Sequence, residues 1–211
     1  MVQAPELIRD HWWWRPGMRP GRRMLLWHLL VDDQPQVREL AGRFRERLAG
    51  LSGLDPVPDE WLHITTQIVG FADEIPRHEV TAMLTAVTQS LGKLPPITVR
   101  IGRVYVYLEG VAMGITPERA LDPVREAIRE GIAQTITTHH MDDLDDRPVW
   151  TPHVSVAYSN ADGPTAPILK ALADPPEPCE FTVRRAHLVE QVRDGHLYRW
   201  EPVAAVPLAG A

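Results

Sequence analysis

Two short phrases, Trp61-Leu62-His63-Ile64-Thr65-Thr66 and Thr151-Pro152-His153-Val154-Ser155-Val156, each set a histidine two residues before a hydroxyl inside an apolar, strand-like run. In an extended strand alternate side chains share a face, so His63 falls with Thr65 and His153 with Ser155. The fold must therefore supply two partly buried strands, one in each half of the chain, each showing an imidazole beside a hydroxyl. Two imidazoles so presented have the parts for acid/base chemistry, one taking a proton while the other gives one.

The elements around these strands alternate without regular crossovers. Met24 to Val31 reads as a buried strand, and Val37, Leu40, Ala41, Phe44 and Leu48 recur at helical spacing up to a stop at Gly50. A Gly/Pro/Asp-rich loop, Leu51 to Pro58, leads into the first histidine strand, Trp61 to Val69. A second helix carries Val80, Met83 or Leu84, Val87 and Leu91 on its buried stripe. Ile97 to Leu108 and Gly110 to Ile115 read as a hairpin. Thr116 and Pro117 then suit the N-cap and first turn of a third helix, with Leu121, Val124, Ile128, Ile132 and Ile136 inward.

The second histidine strand, Trp150 to Tyr158, is followed by a short helical segment around Ile168 to Leu172. Phe181 to Val192 and Tyr198 to Pro207 close the chain as a hairpin through Asp194-Gly195. Hairpin-paired strands mixed with helices predict an α+β fold. One histidine phrase per half fits a two-lobed architecture, although no identity between the halves extends beyond the phrase itself.

The 211 residues, 44% of them hydrophobic, suffice for one core or two small lobes sharing an interface. Cys179 is the single cysteine, so no internal disulfide exists, which fits a reducing, cytoplasmic setting. The first ten residues lack the pattern of a secretion signal, and no apolar run approaches the roughly 20 residues needed to span a bilayer. With 22 Lys+Arg against 28 Asp+Glu, the formal charge of −6 argues against a long nucleic acid as a tight partner. A small phosphate ester or an RNA end needs only a few local donors and is compatible with that charge. A monomer is expected.

The phrases Val57-Pro58-Asp59-Glu60-Trp61-Leu62-His63-Ile64-Thr65 and Thr151-Pro152-His153-Val154-Ser155, with Val69-Gly70-Phe71 after the first, resemble the 2H phosphoesterase superfamily. The similarity is greatest to its bacterial 2′-5′ RNA ligase-like, or cyclic phosphodiesterase, branch, and covers roughly Met24 to Leu208. The resemblance implies a bilobal fold in which two small antiparallel sheets face a central cleft, with helices packed outside. It divides the chain into a Trp/Arg-rich lead, 1–23, a single bilobal domain, 24–208, and a tail, 209–211.

It further implies that His63 and His153 are catalytic and flank a 2′,3′-cyclic or 2′-5′ phosphodiester of a nucleotide or RNA end. Thr65 and Ser155 would hold its nonbridging oxygens, with neither metal nor other cofactor required, and 2′-5′ RNA joining would be the reverse reaction. Two imidazoles of ordinary pKa near 6.5 can hold opposite protonation states around neutrality, and hydroxyl donors can stabilise charge on phosphoryl oxygens. The phrases leave open which histidine is acid and which base. Ser155 stands where threonine is commoner in the family, and Thr66 where a larger aliphatic is frequent. Two other readings fit a similar cleft: a binding module for nucleotides or RNA ends without turnover, or an enzyme for a non-nucleotide phosphate ester.

Several features lie outside these phrases. Trp12, Trp13 and Trp14 suit either an arm laid over the core or a stacking platform for a base. Arg15, Arg19, Arg22 and Arg23 form a basic stretch, either solvated or in contact with substrate. His28, beside Trp27 on the first strand, is a candidate substrate-binding residue if it is the one that faces the cleft. His139, His140, Asp142, Asp143, Asp145 and Asp146 are dense in metal-ligand types but lack regular ligand spacing, which favours a solvated loop. Tyr105, Tyr107 and Tyr158 read as sheet packing.

Overall fold

In the computed structural model, which describes residues 4–137 and 149–210, most strands join one of two antiparallel sheets. The four-stranded sheet runs, edge to edge, Leu197–Pro207 (β11), Arg185–Asp194 (β10), Met24–Leu30 (β2) and His63–Phe71 (β4). The five-stranded sheet runs Leu54–Pro56 (β3), His153–Ser159 (β7), Gly110–Thr116 (β6), Ile97–Tyr107 (β5) and Cys179–Val183 (β9). A ribbon of Leu7–Ile8 (β1) and Gly163–Pro164 (β8) lies apart from both. Each histidine phrase begins a strand of a different sheet, and those two strands, β4 and β7, contact each other. The expected two-lobed α+β arrangement is what the chain adopts.

Helices cover the sheets from outside. Pro35–Leu48 (α1) buries Val37, Leu40, Ala41, Phe44 and Leu48 against β7 and β9, the stripe its spacing predicts. Arg77–Leu91 (α2) packs on Asp122–Thr135 (α3), and the pair touches β11 and β4 respectively. Their approach is close enough to require Gly131, where a Cβ would stand 2.5 Å from Val87 Cγ2. Ala166–Ala171 (α4) buries Ile168 beside α1.

Four local expectations are corrected. Thr116 does not cap α3; it ends β6 opposite Arg100, and the helix opens at Asp122 with Pro123 in its first turn. The run from Phe181 to Val192 is two strands in two sheets, parted at Arg184. The loop from Leu51 to Pro58 contains β3, an edge strand whose Pro56 costs the sheet little because an edge needs no second ladder. Asp59–Trp61 forms a single 3-10 turn, so the first histidine strand starts at His63 and extends to Phe71. The segment from His139 to Asp146 lies outside the described residues.

Register irregularities decide which residues share the cleft face. Between β2 and β4, Leu30 is opposite His63, His28 opposite Thr65, Leu26 opposite Ile68 and Met24 opposite Phe71, with two register shifts on the way. The first shift brings Ile68 onto the side of His63 and Thr65, which strict alternation would have denied it, and the second returns Phe71 to that same side. In the other sheet, His153, Ser155 and Tyr158 face Gly114, Ala112 and Gly110 across a comparable shift.

Candidate functional site

The site begins with two matching histidines. His63 Nδ1 lies 2.8 Å from the Trp61 carbonyl oxygen and His153 Nδ1 lies 2.7 Å from that of Thr151, in each case two residues back along the chain. A carbonyl can only accept, so Nδ1 is the protonated nitrogen in both rings and Nε2 carries the lone pair of the neutral form. The repeated phrase thus produces a repeated tautomer.

Their surroundings differ. His63 is buried, with the ring of Trp200 edge-on at 4.8 Å and that of His28 at 4.2 Å. Burial holds its pKa down at about 4, against the raising effect of the hydrogen bond it donates to the Trp61 carbonyl, and the charge His153 can carry lowers it further. His153 is half-buried, with the Tyr107 and Tyr105 rings at 5.7 and 6.2 Å.

The hydroxyls follow their histidines. Thr65 is half-buried on the His63 face of β4, and its carbonyl accepts from Trp150 Nε1 at 3.0 Å, tying the approach to β7 onto β4. Ser155 is buried on the His153 face of β7, with its Oγ 3.4 Å from the Tyr107 hydroxyl. Thr66 points to the opposite side of β4, fully buried, its hydroxyl without a hydrogen-bond partner among the described residues.

His28 is fully buried, with Nε2 3.1 Å from Gln191 Oε1 and Nδ1 without a hydrogen-bond partner among the described residues. Its ring reaches His63 rather than solvent, so any effect it has on a ligand passes through that histidine. Burial, then the neighbouring His63, keep its pKa well below the ordinary value.

Aromatic residues that sequence reasoning assigned to packing, or passed over, frame the site. Trp200 touches His63, His28 and Trp61. Tyr107 and Tyr105 cross β6 where its side chains are smallest: a Cβ at Gly110 would stand 2.8 Å from the Tyr107 hydroxyl, and one at Gly114 3.2 Å from Tyr105 Cε1. The Gly-x-Ala-x-Gly alternation of β6, Gly110, Ala112 and Gly114, was the sequence signal that room had been left there. Among the described residues, no group of three His, Cys, Asp or Glu side chains is placed to hold a metal ion. No helix among them is long and apolar enough to cross a membrane.

The lead is built into the molecule. Ile8 and Trp12 are buried, while Trp13 and Trp14 are 49% and 45% exposed, which makes the lead an arm over the core rather than a three-ring platform. Its arginines are engaged locally: Arg15 with Glu109, Arg19 with Asp73, Arg22 with Asp73 and Glu74, and Arg23 with Glu190.

Residues 31–195 match the family model described as the 2′-5′ RNA ligase superfamily. Solved structures share the fold. Escherichia coli LigT in apo form superposes with a TM-score of 0.64 at 17% identity, covering 89% of this chain and 98% of that one. TT0787 of Thermus thermophilus gives 0.65 at 17% identity, covering 89% and 98%. LigT complexed with 3′-AMP gives 0.63 at 17% identity with the same coverage. No curated protein sequence matches the chain.

Proposed function

The chain belongs to the 2′-5′ RNA ligase superfamily of 2H phosphoesterases, and from that premise we propose that it hydrolyses 2′,3′-cyclic or 2′-5′ phosphodiesters of nucleotides or RNA ends, with His63 and His153 as its acid/base pair. The observation that supports this reading is the matched pair of imidazoles, one from each sheet, both donating from Nδ1 to a backbone carbonyl two residues back. A nucleotide at the cleft has a parallel in LigT, which is known in complex with 3′-AMP.

The geometry favours one division of labour. His63, buried and neutral at physiological pH, suits the base. Its Nε2 takes a proton from water as the water oxygen bonds to phosphorus. The P–O3′ bond breaks, and the departing ribose oxygen receives a proton from His153. The product is a nucleoside 2′-phosphate, with His63 now protonated and His153 neutral, and exchange with solvent restores both. Thr65 and Ser155, on the same faces as their histidines, donate to the phosphoryl oxygens where charge builds. The reaction routes through no metal and no cofactor, and a monomer suffices because both phrases come from one chain.

The test is hydrolysis of the four nucleoside 2′,3′-cyclic monophosphates with chelator present, with 2′- and 3′-phosphates separated by chromatography. Turnover to the 2′-phosphate supports the reading. Tight binding of the cyclic nucleotide without product would make the cleft a binding module, and turnover of a generic phosphodiester alone would move the substrate outside nucleotides.

A further inference from the structure

Beyond the hydroxyls, the cleft face leads into a block of rings. On β7 the same face that carries His153 and Ser155 continues to Tyr158, and on β11 alternation places Tyr198 on the Trp200 face. Tyr158 and Tyr198 meet edge to face at 5.8 Å, although they come from opposite sheets. Between them sits His11 from the lead, stacked on Tyr158 at 4.2 Å and edge-on to Tyr198 at 5.6 Å. Its Nδ1 is 3.0 Å from Glu109 Oε2 and its Nε2 3.1 Å from the Tyr198 hydroxyl.

The rest of the lead fastens this block at both sides. Trp12 donates from Nε1 to Asp55 Oδ2 on the five-stranded sheet at 2.8 Å, and its ring stacks on His196 in the β10–β11 turn. Glu109, in the β5–β6 turn, also accepts from Arg15 at 2.7 Å and from Trp13 Nε1 at 2.8 Å. Farther on, Met18 joins Met24, Leu26 and Val189 on the face of the four-stranded sheet that bears His63. All of this strap precedes residue 31, where the match to the family begins.

We propose that the N-terminal strap is a specificity element: by filling the cleft between Tyr158 and Tyr198 with His11 and Trp12, it admits phosphodiesters at the end of a nucleotide chain and excludes those with nucleotides on both sides. This rests on the phosphodiesterase reading. A polynucleotide that crossed the two histidines would have to continue through space held by buried rings on one side, whereas a 2′,3′-cyclic end needs room on the other side only. A cyclic mononucleotide and an oligonucleotide ending in a cyclic phosphate are therefore substrates, and an internal 2′-5′ linkage is not.

The experiment compares kcat/KM for three substrates: a nucleoside 2′,3′-cyclic monophosphate, an oligonucleotide ending in a 2′,3′-cyclic phosphate, and an oligonucleotide with a central 2′-5′ linkage. It uses the full chain, a His11→Ala/Trp12→Ala variant, and the milder Glu109→Gln, which removes the charge that gathers the strap. Because each preparation is judged by a ratio of substrates, partial unfolding cancels. The native chain should prefer both terminal substrates to the internal one by about a hundredfold, and His11→Ala/Trp12→Ala should shrink that preference by about tenfold while the mononucleotide rate holds within about threefold. Equal rates on terminal and internal linkages in the native chain, or an unchanged preference in both variants, would overturn the strap's role while leaving the phosphodiesterase intact. Absence of turnover on all three, together with no binding of a fluorescent nucleoside 2′-phosphate, would overturn the underlying reading and the strap's role with it.

Discussion

The rings of His28 and His63 lie 4.2 Å apart between centroids with 38° between their planes, and both are buried. Burial is the larger cause of the lowered pKa in each, and a charge on His63 would further oppose one on His28. The pair is therefore held neutral well below the pH at which an exposed histidine would charge.

Stability should report this directly. A histidine whose folded pKa lies below its unfolded 6.5 excludes a proton that the unfolded chain binds, so stability is full above pH 6.5 and falls as pH drops toward the folded value. For His63 that window runs from 6.5 to about 4. Each excluded proton contributes a slope of about 1.4 kcal/mol per pH unit within its window. Urea midpoints measured from pH 7.5 to 4.5 should fall steadily, and His28→Phe should make the fall shallower. A midpoint independent of pH between 6.5 and 5 would show that neither imidazole is held neutral.

Activity should separate the two histidines. Under the proposed mechanism His63→Ala and His153→Ala should each lower kcat/KM on a cyclic nucleotide by about a thousandfold or more with the fold retained, since each would remove one proton-transfer partner. In the native chain the acid limb of the pH profile should lie well below 6.5, because protonating His63 removes the base and its pKa is near 4. An acid limb at 6.5 would assign the base to a group without that burial.

Much of this was legible in the chain and some was not, for identifiable reasons. The stripes of α1 and α3 follow from 3.6-residue spacing because one face meets a sheet and the other meets water. The histidine strands are legible because a buried face repeats every second residue. The sheet change at Arg184 also left a trace: Phe181 and Val183 are buried at odd positions, Ala186 and Leu188 at even ones, and the slip of parity marks where the chain leaves one sheet for the other. The cleft faces were harder to read. Register shifts near Trp27 and Val111 bring Ile68 and Tyr158 onto the faces of His63 and His153, and a shift set by pairing between distant strands is not written in either strand alone. The strap was illegible for a similar reason, since His11 and Glu109 meet only after both sheets have formed.

The hydroxyls should matter less than the imidazoles. Thr65→Val keeps the β-branch and removes the donor, and Ser155→Ala removes the donor beside Tyr107. Each should cost on the order of 1 to 3 kcal/mol of transition-state stabilisation, read as kcat/KM on a cyclic nucleotide. Native kinetics in both variants would remove these hydroxyls from the reaction.

Gly110 links the packing of the five-stranded sheet to its site. It opens β6 opposite Tyr158, and a Cβ there would stand 2.5 Å from the Ala157 carbonyl oxygen and 2.8 Å from the Tyr107 hydroxyl. The first obstacle is backbone and cannot swing aside, so relief must come from separating β6 from β7, with Tyr107 displaced as well. Gly110→Ala should therefore destabilise the chain by about 1 to 3 kcal/mol, the usual range for an overpacked interior. It should also draw the Tyr107 hydroxyl away from Ser155 and lower turnover in the molecules that remain folded. Gly163→Ala is the matched control, because a Cβ there meets nothing within 4 Å. Thermal midpoints and kcat for the two variants decide the matter: equal midpoints would mean that β6 and β7 can part without cost, and a destabilised Gly110→Ala with native kcat would mean that Tyr107 serves packing alone.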